Sequence, residues 1–272
     1  MRAEMEANVN GTRIYYEIQG AGSPLALIHG IGGSAMDWGE ALPRLAAHCR
    51  VLALDVRGFG HSAKPSGPYS PAQWAADVAG VLDAAGMRDV IVLGHSMGGV
   101  IAQRLVLDFP QKVRAAIFAS TSSEVKEAAA QFWEGQADEI EREGIAPMIA
   151  RRQAAYTDAF KAAHPEALAA DERRVQLNEP HAYAAAARAV ARYNFTDELR
   201  GLHMPVLILQ GLDDKQTPPG GSVIMSRAIP GARLVMIEHC GHNIHSDQPD
   251  RFVNEVLGFV AEVTGAAQPA GD

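Results

Sequence analysis

Short apolar runs alternate along this chain with stretches of helical spacing, and that alternation constrains the fold more than any other feature. The runs cover residues 25–28, 51–54, 90–93, 115–118, 206–209 and 234–237. Each is apolar at consecutive positions, as a strand of a parallel sheet covered on both faces must be. Helical patterns fall between them at 71–85, 98–109, 221–228 and 251–263, the second stopped by Pro110. Strand–helix alternation of this kind predicts an α/β fold, with a mostly parallel sheet, flanking helices and right-handed crossovers.

Two regions depart from the pattern. Residues 9–18 carry an Asn10-Gly11 pair among β-formers, which predicts a hairpin. From 124 to 200 the chain is Ala-rich with helical spacing and has no strand candidate. A helical stretch of about 75 residues is too long for an ordinary connection. The expectation is therefore a core from 1–123 and 201–272, with 124–200 inserted as a helical cap over one end of the sheet. Residues 265–272 read as a frayed tail.

Composition narrows the function classes. The 272 residues hold 24 basic and 32 acidic side chains, a net charge of −8. Nucleic acid and anionic membranes call for a basic surface, so neither is an expected partner. No apolar run approaches the ~18 residues of a membrane helix. The first eight residues carry acids where a signal peptide needs an apolar stretch. Two cysteines, Cys49 and Cys240, lie far apart and form neither a disulfide framework nor a CxxC motif. The expectation is a cytoplasmic protein, monomer or homodimer, acting on a small molecule.

Gly94-His95-Ser96-Met97-Gly98-Gly99 follows one apolar run and opens a helical pattern. This is the nucleophile-elbow pattern in its strand–turn–helix context. The turn is tight, so the positions two before and two after the serine must be small. The hydroxyl then stands above the sheet at the positive end of a helix, where the Met97 N–H can meet an oxyanion. His29-Gly30-Ile31-Gly32-Gly33-Ser34 follows the first run, in the position that supplies the second oxyanion donor in such folds, assigned here to the Ile31 N–H. Neither the G-x-G-x-x-G spacing nor a P-loop lysine is present, which argues against nucleotide binding.

A serine of ordinary pKa needs a base, and the base needs an orienting group. An acidic turn, Gly211-Leu212-Asp213-Asp214-Lys215-Gln216-Thr217-Pro218, follows the fifth run; His239-Cys240-Gly241-His242-Asn243-Ile244-His245 follows the sixth. In open α/β sheets, residues beyond the carboxyl ends of strands converge on one crevice. Spacing alone leaves Asp213 and Asp214 open, as it does His239, His242 and His245. Cys240 with these histidines matches no standard zinc spacing.

With these stretches and Asp55-Val56-Arg57-Gly58-Phe59-Gly60-His61-Ser62, the sequence resembles the α/β-hydrolase superfamily over nearly its whole length. The resemblance implies the α/β-hydrolase fold. In that family's pattern the acid lies three residues after the glycine and four before the proline, which selects Asp214. The histidine follows a glycine and precedes an acidic-Pro-x-x-Phe run, which selects His242. Dehalogenase and epoxide-hydrolase relatives carry aspartate at the elbow, whereas Ser96 implies acyl transfer. Residues 143–152 and 183–190 are similar to the cap of bacterial enol-lactone hydrolases.

The expected activity is cofactor-independent hydrolysis of a carboxylic ester or lactone through Ser96, His242 and Asp214, with no metal. Rivals on the same fold are a carbon–carbon bond hydrolase of a β-diketone-like substrate, a cofactor-free perhydrolase and a ligand-binding receptor. Trp38, Trp133, Met148, Tyr156 and Tyr183 are the expected pocket residues, with Phe132, Phe160 and Phe195 as further candidates. Arg151, Arg152, Arg188 and Arg192 read as solvated helix faces, with one able to reach inward toward an anionic substrate. Cys240 reads as a buried, inert thiol.

Overall fold

Asn10 and Gly11 both adopt left-handed backbone, with φ of 46° and 73°, as a two-residue hairpin turn requires. They join β1 (Ala3–Val9) to β2 (Thr12–Gln19), so the hairpin begins earlier than residue 9. The computed structural model describes residues 3–265, and the expectation for the C-terminal tail falls almost wholly outside them. Beyond the hairpin, β2 pairs antiparallel with β4 (Cys49–Leu54). The other strands are parallel: β3 (Ser23–Ile28), β5 (Val90–His95), β6 (Val113–Ala119), β7 (Val206–Gly211) and β8 (Arg233–Ile237). All six apolar runs are strands.

The sheet order is β1-β2-β4-β3-β5-β6-β7-β8. From β3 the chain moves one way to β4, then crosses back to β5 and continues the other way. The carboxyl ends of β3 and β5 therefore flank a topological switch point, where open α/β sheets bind ligands.

Each central strand sends alternate residues to opposite faces, and both faces are apolar. Ala26 and Ile28 join one buried cluster with Trp74, Val78 and Leu82 of α2 (Pro71–Ala84) and Val100, Ile101 and Leu105 of α3 (Met97–Asp108). Leu25 and Leu27 join the other, with Leu42 and Leu45 of α1 (Ala41–Ala46). The spacing 74, 78, 82 is one helix face. Ser70 caps α2 by accepting from the Gln73 N–H at 3.1 Å, ahead of Pro71.

Between β6 and β7 the described chain is helical: α4 (Glu127–Glu143), α5 (Pro147–Gln153), α6 (Asp158–Ala163), α7 (Pro165–Gln176), α8 (Pro180–Val190) and α9 (Thr196–Leu199). Its ends are fastened side by side, with the Phe195 N–H donating to Ser123 O at 2.8 Å and the Val125 N–H to Tyr193 O at 3.0 Å. Three helices complete the fold: α10 (Gly220–Ala228), α11 (Ile244–Asp247) and α12 (Pro249–Thr264). Among the described residues no helix is long and apolar enough to cross a membrane.

Candidate active site

Ser96 links β5 to α3 with φ 54° and ψ −119°, a left-handed backbone that costs a non-glycine residue roughly 1–3 kcal/mol. The neighbouring glycines are there for lack of room. A Cβ on Gly94 would lie 2.1 Å from Gly98 O, and one on Gly98 would lie 2.0 Å from Ile28 O. Strand and helix could not close around the serine with larger residues. Met97 opens α3, where the first N–H groups have no intrahelical acceptor. The β3 loop runs beside the serine, since a Cβ on Gly30 would lie 3.3 Å from Ser96 Cβ. Ile31, Ser96 and Met97 line one cavity.

Asp214 and His242 follow β7 and β8, and the sheet brings them together: His242 Nδ1 lies 2.9 Å from Asp214 Oδ2. The carboxylate also accepts from Thr217 Oγ1 (2.7 Å), Gln210 Nε2 (3.2 Å) and the Gln216 and Thr217 N–H groups (2.9 Å each). Burial pushes the Asp214 pKa up, but the neighbouring imidazole and these donors outweigh it and hold the group at about 2. Asp213 is exposed, as is His239, while His245 is buried against Trp38 and Phe252. Of the residues that spacing left open, only this aspartate and this histidine form a pair.

Three supporting residues escaped the sequence reading. Ser120 Oγ donates to the His242 carbonyl at 2.7 Å, and His95 Nε2 donates to the same oxygen at 2.9 Å. Burial, with His242 and His245 nearby, pulls the His95 pKa well below the imidazole range, so it acts as a neutral donor. The third is Thr217, in the acidic turn. Each lies at or just beyond a strand's carboxyl end, which was a positional signal, but the loop folding that aims them was not legible.

Two adjoining lobes open around Ser96, of about 330 and 580 Å³. Ser96, Ile31 and Trp133 line both. The smaller has Met97, Val100, Val190 and Ile224 as walls. The larger has His242, Phe132, Tyr183, Arg151 and Arg152. Three expected pocket residues do not line either lobe. Trp38 is 1% exposed and stacks on Phe252; Met148 is 2% exposed and packs in the core. Tyr156 stacks on Phe160, and both face a separate cavity beside Trp38. Phe195 is also core. These side chains went to packing against their neighbours, and Tyr156 and Phe195 lie in connections between helices rather than on a helix face.

The arginines also divide. Arg188 bridges to Asp138 and Glu141, and Arg192 to Glu134, on exposed surface. Arg151 pairs with Glu139. Arg152 is the inward one, yet it is already bonded to Asp37 at 2.6 Å and Asp171 at 2.8 Å. Among the described residues no group of three or more His, Cys, Asp or Glu side chains is arranged to hold a metal ion. Cys240 is buried, and burial followed by nearby carboxylates pushes its thiol pKa up, which keeps it protonated.

Comparison with known proteins adds to this geometry. A relative from Azorhizobium caulinodans named for carbamate hydrolysis is 29% identical over 253 residues, 92% of this chain and 96% of its own. The 2-hydroxymuconate semialdehyde hydrolase of Pseudomonas putida is 30% identical over 93% of this chain and 92% of its own. The crystal structure of the enol-lactonase from Burkholderia xenovorans superposes with a TM-score of 0.90 at 26% identity, covering 94% of this chain and 100% of that one. A family model described as the alpha/beta hydrolase fold matches residues 23–249, and with the sheet order and the strained serine turn already described, the chain belongs to the α/β-hydrolase family.

Proposed function

We propose that this protein is a cofactor-independent serine hydrolase of a carboxylic ester or lactone. The observation that carries the reading is the 2.9 Å His242–Asp214 pair, whose histidine shares a cavity with a serine on a strained turn. Ser96 Oγ attacks the carbonyl carbon as His242 takes its proton, and Asp214 fixes the imidazole tautomer and stabilises the imidazolium. The N–H groups of Ile31 and Met97 receive the oxyanion, each worth about 3–4 kcal/mol. The carbonyl carbon–oxygen bond breaks as His242 returns the proton to the leaving oxygen, and Ser96 is left as an acyl ester. Water, deprotonated by His242, then attacks the ester; the acid leaves and Ser96 regains its proton.

The lobes suggest an orientation. The leaving oxygen must lie next to His242, which lines only the larger lobe, so the leaving group occupies that side and the acyl group the smaller one. Residues 124–200 act as the cap that sizes both.

Steady-state hydrolysis of nitrophenyl esters of increasing acyl length, with enol-lactones and a β-diketone, tests the reading in wild type and Ser96→Ala. Rapid turnover that disappears in Ser96→Ala supports it, and undiminished turnover in the variant defeats it. A second reading, carbon–carbon bond hydrolysis of a β-diketone-like substrate, is supported by the 30% identity to the semialdehyde hydrolase. Turnover of the β-diketone with none of the esters or lactones would select it.

A further inference from the structure

One short segment of the helical stretch grips both loops that the proposed chemistry depends on. On one side, Arg152 Nη1 donates to Ile31 O at 3.3 Å while its other nitrogens hold Asp37 and Asp171. Asn178 Nδ2 donates to Gly32 O at 3.0 Å. On the other side, the His242 N–H donates to Ala155 O at 3.1 Å. Asp247 extends that grip: its Oδ1 accepts from the Thr157 N–H and Oγ1 at 3.2 and 3.1 Å, and its Oδ2 accepts from the Gly241 N–H at 2.8 Å. Residues 152–157 thus touch the oxyanion loop at one end and the histidine loop at the other.

The oxyanion loop needs such a hold. Gly30 O accepts from the Gly33 N–H at 3.2 Å, closing a turn with Ile31 and Gly32 at its centre and Gly32 at φ 71°. The proposed donor, the Ile31 N–H, shares a peptide with Gly30 O and keeps its aim only while the turn keeps its shape; rotating the next peptide, Ile31–Gly32, interconverts turn types without breaking the closing bond. Arg152 and Asn178 hold the two successive carbonyls there. We propose that Arg152, Asn178 and Thr157 are positioning residues through which the helical stretch sets the geometry of the oxyanion turn and of the His242 loop. This rests on the serine-hydrolase reading for its chemistry, though not for its structural content. Oxyanion donors act only when aimed before charge develops, so loosening the turn lowers the rate more than it weakens substrate binding.

Arg152→Lys, Asn178→Asp and Thr157→Val test this, with Arg188→Ala on the exposed face of α8 as control. Three readouts are compared: kcat and KM for a nitrophenyl ester, the inhibition constant of a trifluoromethyl ketone, and hydrogen–deuterium exchange of peptides spanning 29–36 and 239–247. We expect Arg152→Lys and Asn178→Asp to lower kcat roughly tenfold, part of the loss for removing a whole donor. KM should stay within about twofold, and the ketone should bind more weakly by the same factor as kcat. Exchange should quicken in 29–36 for these two and in 239–247 for Thr157→Val, with the sheet strands unchanged. The proposal is overturned if all three behave like Arg188→Ala, or if exchange quickens throughout the molecule, which is general destabilisation. Failure of the serine-hydrolase reading looks different: Ser96→Ala keeps its turnover whatever the exchange pattern.

Discussion

Two aspartates, the buried Asp214 and the half-buried Asp37, each bind a nitrogen group at short range, yet the partners give them different roles. Asp214 meets an imidazole at 2.9 Å, and Asp37 meets the Arg152 guanidinium at 2.6 Å. Burial pushes both carboxyl pKa values up, and in both the partner outweighs burial and holds the group below the usual carboxylate range. An imidazole can act as a general base and then as a general acid, so in the proposed reaction the charge facing Asp214 changes. A guanidinium does not deprotonate in proteins, so Asp37 faces a permanent charge and ties the segment after β3 to the helical stretch. Substitutions at the two should accordingly fail in different ways.

The largest effect belongs to the chemical end. Ser96→Ala should lower kcat on the best ester by a factor on the order of 10⁶ with the thermal midpoint preserved. Asp214→Asn should follow, with kcat down about 10⁴-fold because the tautomer of His242 is no longer fixed. Asp37→Asn should reverse the order of damage, costing about 3 kcal/mol in denaturant unfolding because Arg152 loses a buried partner. If Asp37→Asn proved as inactive as Asp214→Asn with its stability intact, the contrast between the two pairs would collapse.

Acid should separate the groups further. Asp214 is held at about 2, so its contribution to stability is complete above an ordinary aspartate pKa of about 3.9 and is lost as the pH falls through about 2. His245 shifts the other way for its type: burial lowers its pKa to about 4. Between an ordinary value of about 6.5 and 4 the unfolded chain takes up a proton there and the folded one does not, which removes up to about 3 kcal/mol of stability. A pH series of urea melts should show that loss together with the one from buried His95, and His245→Gln should remove only its own share. The smallest effect concerns Cys240, two residues from His242. Treating the folded protein with iodoacetamide should leave its turnover unchanged, since the thiol is buried and protonated.

Much of this could be read from the chain. The Asn10-Gly11 hairpin, all six apolar strands and the elbow glycines are local features, because periodicity and room at a turn depend on a few adjacent residues. The helical nature of 124–200 was equally plain. The order of the sheet is not written in any one segment, and neither is the choice of His242 over His239 and His245, which rests on family resemblance and on the pairing with Asp214. Pocket assignment was weakest. Trp133 and Tyr183 line the lobes, whereas Trp38, Met148 and Tyr156 do not, and nothing in their spacing separates the two sets.

By itself, then, the sequence determined the class of fold, the strained serine turn and the residue types available at the strand ends, since each follows from short-range sterics and hydrophobic patterning. Tertiary structure alone decided that Thr217, Ser120 and His95 brace the Asp214–His242 pair and that Arg152 turns inward to Asp37 and Ile31. Apart from Thr217 and Asp214, which share one turn, those contacts join residues far apart in the chain. Which face of an Ala-rich helix points inward depends on what packs beside it, and only the assembled molecule contains that information.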